Sequence, residues 1–136
     1  MTIRSYSASP RAAEEAILVG YACKIGTGAV ALLDDATQAT TVTVKPLGIS
    51  ATEAASGDEI AVIDFGEATF VAGTSGVAQG DSLVAEAATG KLIAYVESAY
   101  TDGQVVYIIG RAQEAVAANA LGNCFVNIYQ LSVSNP

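Results

Sequence analysis

The side chains of this sequence that could do chemistry are mostly carboxylates. Asp34-Asp35 is followed by Thr37, and Asp58-Glu59 is followed by Asp64 and Glu67. Oxygen atoms of this kind are the ligands that Ca²⁺ prefers. Neither spacing matches the alternating ligands of a calcium loop, so we interpret these residues as turn residues and solvated carboxylates. The sequence therefore predicts no metal site.

Catalysis by a nucleophile and a base is not suggested either. The chain contains no histidine, which removes the commonest general base and metal ligand. Its two cysteines, Cys23 and Cys124, do not form a CxxC pair, so a structural zinc site is excluded. We interpret them as small buried hydrophobic residues, with a disulfide between the first and last strands as the alternative. We expect no enzymatic activity and no cofactor.

Charge and hydropathy exclude two classes of partner. The 136-residue chain has 14 acidic and 6 basic residues and a net charge of −8. Such a chain is repelled by phosphate, so we expect no nucleic-acid binding. Its apolar runs are far shorter than a membrane span requires, and no signal peptide is visible, so we expect no membrane association and synthesis in the cytoplasm. Only 15% of residues are charged, which favours an assembly component whose surface is easily covered.

The elements that position these residues are short strands separated by turns rich in Gly, Asp, Ser and Thr. The spacing predicts a mostly β fold, a small β-sandwich or barrel with one short helix and an extended N-terminal arm. Strands are expected over Ile17–Lys24, Val30–Leu33, Thr41–Val44, Ile60–Phe65, Ala68–Val71, Ser82–Ala85, Lys91–Val96, Gln104–Ile109 and Cys124–Leu131.

Two alanine-rich segments, Ser50–Ala55 and Ala112–Ala118, interrupt the strand pattern. Both are strong helix formers, ended by Ser56-Gly57 and by Asn119, and the second is the predicted helix. Set side by side, the segments that begin at Gly48 and Gly110 resemble a degenerate internal repeat, and each leads into a strand. Aligning them requires a gap of one residue. This pattern indicates a duplicated supersecondary unit.

Residues 1–13 form the predicted arm, and residues 14–136 form a single β-rich domain. The arm is rich in serine, contains Pro10, and shows neither a helical nor a strand period. One interpretation is a frayed terminus. The other is a segment that orders against a neighbouring subunit, with contacts to the capsid or to other subunits made by Ile3, Arg4, Tyr6 and Arg11.

A succession of short motifs also resembles one protein family, the capsid decoration (cement, or head-stabilising) proteins of tailed phages. The motifs that carry this resemblance are Gly28–Thr37, Leu47–Ile49, Ala54–Asp58, Gly80–Val84, Ala87–Lys91 and Ile109–Ala115. The insert Ala120–Asn123 and the tail Ser132–Pro136 depart from the family pattern.

The resemblance implies a structural protein of the virion. It would bind the outer surface of the assembled shell of major capsid protein and stabilise the head against internal DNA pressure. Its partners would be the major capsid protein and itself, as a homodimer or homotrimer. The alternative is an accessory head-fibre domain that binds a receptor or carbohydrate, for which exposed aromatic side chains such as Tyr95, Tyr100, Tyr107 and Tyr129 are suited.

Overall fold

A computed structural model describes residues 11–34 and 45–135 of the chain. They form strands β1 (Arg11–Ala12), β2 (Ala22–Ile25), β3 (Val30–Leu32), β4 (Gly48–Ser50), β5 (Glu59–Ile60), β6 (Val62–Ile63), β7 (Phe65–Val71), β8 (Ser82–Ala85), β9 (Leu92–Ala94), β10 (Val105–Ala112) and β11 (Leu121–Ser132). One turn of 3₁₀ helix spans Glu97–Ala99. The prediction of a mostly β fold is confirmed.

The strands form three antiparallel sheets. The orders are β1-β5, β3-β2-β4-β6 and β7-β11-β10-β8-β9. The two larger sheets share a core, in which Ile49 and Ile63 of the four-stranded sheet lie with Phe70 and Val126 of the five-stranded sheet. Two smaller clusters complete the buried interior of the described residues, one around Ile17 and one formed by Val84, Val106, Ile108 and Val133. Each larger sheet therefore contributes to more than one apolar layer.

The predicted helix at Ala112–Ala118 is wrong, because the part of the chain that the structure describes contains no α-helix. Ala112 ends β10, where it pairs with Cys124, and Val116 pairs with Val77 through two backbone hydrogen bonds. The segment is too short to be stable as an isolated helix, and β pairing satisfies the same backbone groups. Asn119, which follows this segment, has a left-handed φ of 63°, and Gly57, which follows the first alanine-rich segment, has one of 87°.

The internal repeat is confirmed, and it extends over most of the described strands. Cys23 pairs with Gly48 and Leu32, as Leu83 pairs with Gly110 and Ala94. Ser50 pairs with Val62 as Ala112 pairs with Cys124, and Arg11 pairs with Ile60 as Phe70 pairs with Gly122. We call β1–β6 the first repeat and β7–β11 the second repeat.

The loops of the two repeats also form equivalent hydrogen bonds. Ile17 exchanges two backbone hydrogen bonds with Ala54, as Val77 does with Val116. Thr52 Oγ1 accepts a hydrogen bond from the backbone N–H of Ala61 at 3.1 Å, and Glu114 Oε2 accepts one from Asn123 at 3.1 Å. Thr52 and Glu114 are thus equivalent, and the two repeats align here without the gap that the sequence comparison needed.

One hydrogen bond between loops occurs in both repeats, but its carboxylate comes from a different loop in each. In the first repeat, Glu14 accepts a hydrogen bond from the backbone N–H of Thr27, and a Cβ on the neighbouring Gly26 would collide with this carboxylate. In the second repeat, Glu86 stands at the position of Gly26 and accepts a hydrogen bond from the backbone N–H of Thr74. A carboxylate therefore bridges the same two loops in both repeats but comes from opposite sides.

Three further expectations are corrected or only partly tested. Ile60–Phe65 is not one central strand, because the chain forms the short strands β5 and β6 and then starts β7 at Phe65. Arg11–Ala13, the end of the predicted arm, pair with the body, and Ala13 is buried. Residues 1–10 and the predicted strand at 41–44 lie outside the described residues.

Candidate functional site

The most distinctive surface lies on the outer side of the five-stranded sheet. Along β11, Cys124 and Val126 face the core, whereas Phe125, Asn127 and Tyr129 face outwards. This alternation follows from the two-residue period of a strand. Phe125 is 36% exposed and Tyr129 is 45% exposed, which is unusual for aromatic side chains on the middle of a strand.

Neighbouring strands add to this surface. Phe65 of β7 is opposite Asn127 and 48% exposed, and its ring meets that of Phe125 edge to face with centroids 5.3 Å apart. Arg111 of β10 is opposite Phe125, and its Nε donates a hydrogen bond to the carbonyl of Gly80 at 2.9 Å. We call the surface formed by Phe65, Arg111, Phe125, Asn127 and Tyr129 the open face.

Two adjoining cavities flank the aromatic pair. One of about 420 Å³ is lined by Ser82, Gly110, Arg111, Phe125, Asn127 and Tyr129. A second of about 550 Å³, which we call the first-repeat cavity, is lined by Ile25, Lys45, Leu47, Asp64, Phe65 and Asn127, with Pro46 and Ile128. Asn127 lines both, so the two cavities adjoin at this residue.

The open face carries groups that suit binding. Exposed aromatic rings provide apolar contact area, a guanidinium provides a fork of donors, and the amide of Asn127 can both donate and accept. Aromatic residues and arginine are the side chains that contribute most to the energy of protein interfaces. The arrangement can hold a partner in one orientation through apolar contact and directed hydrogen bonds.

The cysteines lie away from this surface and are interpreted correctly as buried residues. Both are free thiols in the core, and burial raises the pKa of Cys23 and of Cys124 to about 12. In the repeat, Cys23 occupies the position of Leu83 and Cys124 that of Val62, which are apolar. Their role is therefore packing, and a disulfide between them is not formed.

The residues predicted as contacts are placed only in part. Arg11 is exposed on β1, whereas Ile3, Arg4 and Tyr6 lie outside the described residues. Of the tyrosines, Tyr95 and Tyr100 stack on each other, and Tyr107 accepts a hydrogen bond from Gln130. Of these four described tyrosines, Tyr129 alone belongs to the open face.

Neither a cluster of metal-ligating side chains nor a helix of membrane-spanning length occurs in the described ranges. Within residues 11–34 and 45–135, no group of three or more His, Cys, Asp or Glu side chains could hold a metal ion. In the same ranges, no helix has the length and apolar character needed to span a bilayer.

Comparison with known proteins yields a structural match. No protein-family model matches the sequence, and no curated protein matches it. Among solved structures, the chain is similar to the N base of the head fiber gp8.5 of bacteriophage phi29, with a TM-score of 0.56 and 14% sequence identity. The match covers 90% of this chain and 94% of that chain. The two proteins therefore share a fold over nearly their whole lengths.

Proposed function

We propose that this protein is a structural component of a phage head, attached to the outer surface of the shell formed by the major capsid protein. The observation that carries the proposal is the shared fold with the N base of a phage head fiber. The motifs that resemble decoration proteins point to the same location independently.

The physical properties of the chain support an attached structural role over an enzymatic one. Its open face offers rings, an amide and a guanidinium, which bind without breaking bonds. The net charge of −8 disfavours contact with packaged DNA and suits the outside of the shell. Attachment through many copies makes weak single contacts sufficient, because binding to a lattice is multivalent.

In the first form of this function, the protein is a decoration protein that holds neighbouring capsomers together. The predicted arm contacts, Ile3, Arg4, Tyr6 and Arg11, would then reach adjacent subunits. Arg11 lies at the start of the described body and is exposed, which suits a segment that leads from the body towards a neighbour.

In the second form, the protein is the base of an accessory head fibre with a receptor- or carbohydrate-binding role. The matched structure favours this form, since it is itself described as the base of a head fiber. The exposed rings of Phe65, Phe125 and Tyr129 are also the kind of surface on which sugars stack.

The test uses DNA-filled heads of the parent phage that lack this protein. Purified protein is added, the heads are sedimented, and DNA release on heating is followed with a dye. Attachment predicts that the protein sediments with the heads, and protein that remains entirely in the supernatant contradicts the proposal. A raised temperature of DNA release supports the decoration form. Binding without any such rise, together with binding to host cells or glycans, supports the fibre form.

A further inference from the structure

The two repeats pack against each other through non-equivalent sides. The first repeat contributes Ile49 and Ile63. These residues lie on the side of its sheet that is equivalent to the outer side of the second repeat, and we call it the outer side of the first repeat. The second repeat contributes residues such as Ala85, Ile109 and Val126 from the core side of its own sheet. All of these side chains are buried, so the contact joins the outer side of one repeat to the core side of the other.

Each half of this contact has an uncovered counterpart elsewhere on the chain. In the aligned repeats, Ile49 and Ile63 correspond to Arg111 and Phe125, which belong to the open face. The counterpart of Ala85 is Ile25, which lies in the first-repeat cavity and is 44% exposed.

The same cavity is lined by two further counterparts of the core side. Leu47 precedes Gly48 as Ile109 precedes Gly110, and it is half-buried. Asp64 follows Ile63 as Val126 follows Phe125, and it is exposed. The second repeat therefore leaves part of its outer side uncovered, at Arg111 and Phe125, and the first repeat leaves one end of its core side uncovered, at Ile25, Leu47 and Asp64. The rest of that core side is buried in the cluster around Ile17.

The residues that differ between the buried contact and its uncovered counterparts are complementary in charge. Arg111 replaces a buried isoleucine on the open face, and Asp64 replaces a buried valine in the first-repeat cavity. Arg111 thus places a positive charge on one uncovered half, and Asp64 places a negative charge on the other, in a cavity that Lys45 also lines. Phe125 and Ile25 retain an apolar anchor on each side, as expected of an interface that forms after folding.

We propose that a second copy of this chain covers these surfaces. The open face of one copy docks into the first-repeat cavity of the next and reproduces, between chains, the contact that joins the two repeats within a chain. Such a contact is heterologous, or head to tail. The two surfaces adjoin and share Phe65 and Asn127, so consecutive contacts turn sharply and close into a ring of a few copies. This association does not depend on attachment to a phage head.

Sedimentation of the purified full chain tests this proposal. The wild type is expected to associate into particles of three or more copies, and Arg111→Asp and Asp64→Arg are each expected to reduce the mass to that of a monomer. The double variant Arg111→Asp/Asp64→Arg should recover association, because the charges are exchanged. Glu53→Arg is the matched control: it makes the same change of charge as Asp64→Arg at an exposed residue that lines neither cavity, and it should leave association intact.

Cysteine pairing tests the head-to-tail geometry separately. A mixture of Arg111→Cys and Asp64→Cys copies should form disulfide-linked dimers under mild oxidation, whereas neither variant should do so alone. Circular dichroism identical to that of the wild type would verify folding. A wild type that stays monomeric at high concentration, or Arg111→Cys copies that link to each other, would overturn the proposal. Neither result bears on head binding, which is measured with heads.

Discussion

Two equivalent glycines provide a direct test of the duplicated architecture. Gly48 and Gly110 stand at the same register position, and each lies against a carbonyl of the neighbouring strand. A Cβ at Gly48 would lie 2.1 Å from the oxygen of Ile63, and one at Gly110 would lie 2.4 Å from the oxygen of Phe125. Ordinary contact begins at 3.4 Å, so the strands would have to separate by about 1 Å in either repeat.

The expected cost of Gly110→Ala follows from this overlap. Forcing an extra methyl group into a well-packed site costs about 1–3 kcal/mol, and we expect the upper end because the obstacle is backbone. For a chain of this size, 1 kcal/mol corresponds to about 3–5 °C in Tm. Gly110→Ala should therefore lower Tm by about 10 °C, and Gly48→Ala should lower it at least as much, because Gly48 also has a positive φ of 154°.

Gly57→Ala is the matched control for backbone strain. Gly57 has a φ of 87° but no atom near its missing Cβ, so its substitution carries only the left-handed penalty of about 1 kcal/mol. Differential scanning fluorimetry of the three variants measures the order of the effects. If Gly110→Ala loses no more stability than Gly57→Ala, close approach of the strands is not what requires glycine at this position.

Three further predictions concern the thiols, one carboxylate and the arm. Cys23 and Cys124 should not react with thiol reagents at pH 7–8 until the protein unfolds, because both pKa values are about 12; rapid labelling of the folded protein would contradict their burial. Burial alone would raise the pKa of Glu86, but hydrogen bonds from Thr89 and Thr74 and the charge of Lys91 lower it below its usual value of 4.5. The stability that Glu86 contributes is thus present above that value and lost as pH falls through the lowered pKa, so Glu86→Gln should flatten the acid limb of a urea-denaturation series, and an unchanged limb would refute this. Deleting residues 1–10, which leaves β1 intact, should preserve the fold and weaken attachment to heads; undiminished attachment would show that the body makes the contact.

Much of the fold could be predicted from the sequence, because short alternating segments and turn residues are local signals. Ser82–Ala85 is a strand with the predicted bounds, and Asp81 closes the turn before it by accepting a hydrogen bond from the N–H of Ala78 at 2.9 Å. The alanine-rich segments were misinterpreted for a physical reason. Helix propensity is a weak preference, and pairing of Val116 with Val77 and of Ala54 with Ile17 overrides it.

The open face could not be predicted in the same way. Periodicity shows that Phe125 and Val126 face opposite sides of a strand, but it does not show which side another element covers. The first repeat covers the side of Val126 and leaves Phe125 exposed, and this depends on how the repeats stack. Alignment of the repeats does contain a signal: Arg111 and Phe125 stand where the first repeat has Ile49 and Ile63.

Electron cryomicroscopy of parent-phage heads with the bound protein tests the proposed function most directly. Attachment to the outer surface of the shell predicts extra density of the size of this chain at fixed positions outside the major capsid protein, with regular coverage for a decoration protein and sparse protrusions for a fibre base. Heads whose outer surface is identical with and without saturating protein would contradict the account.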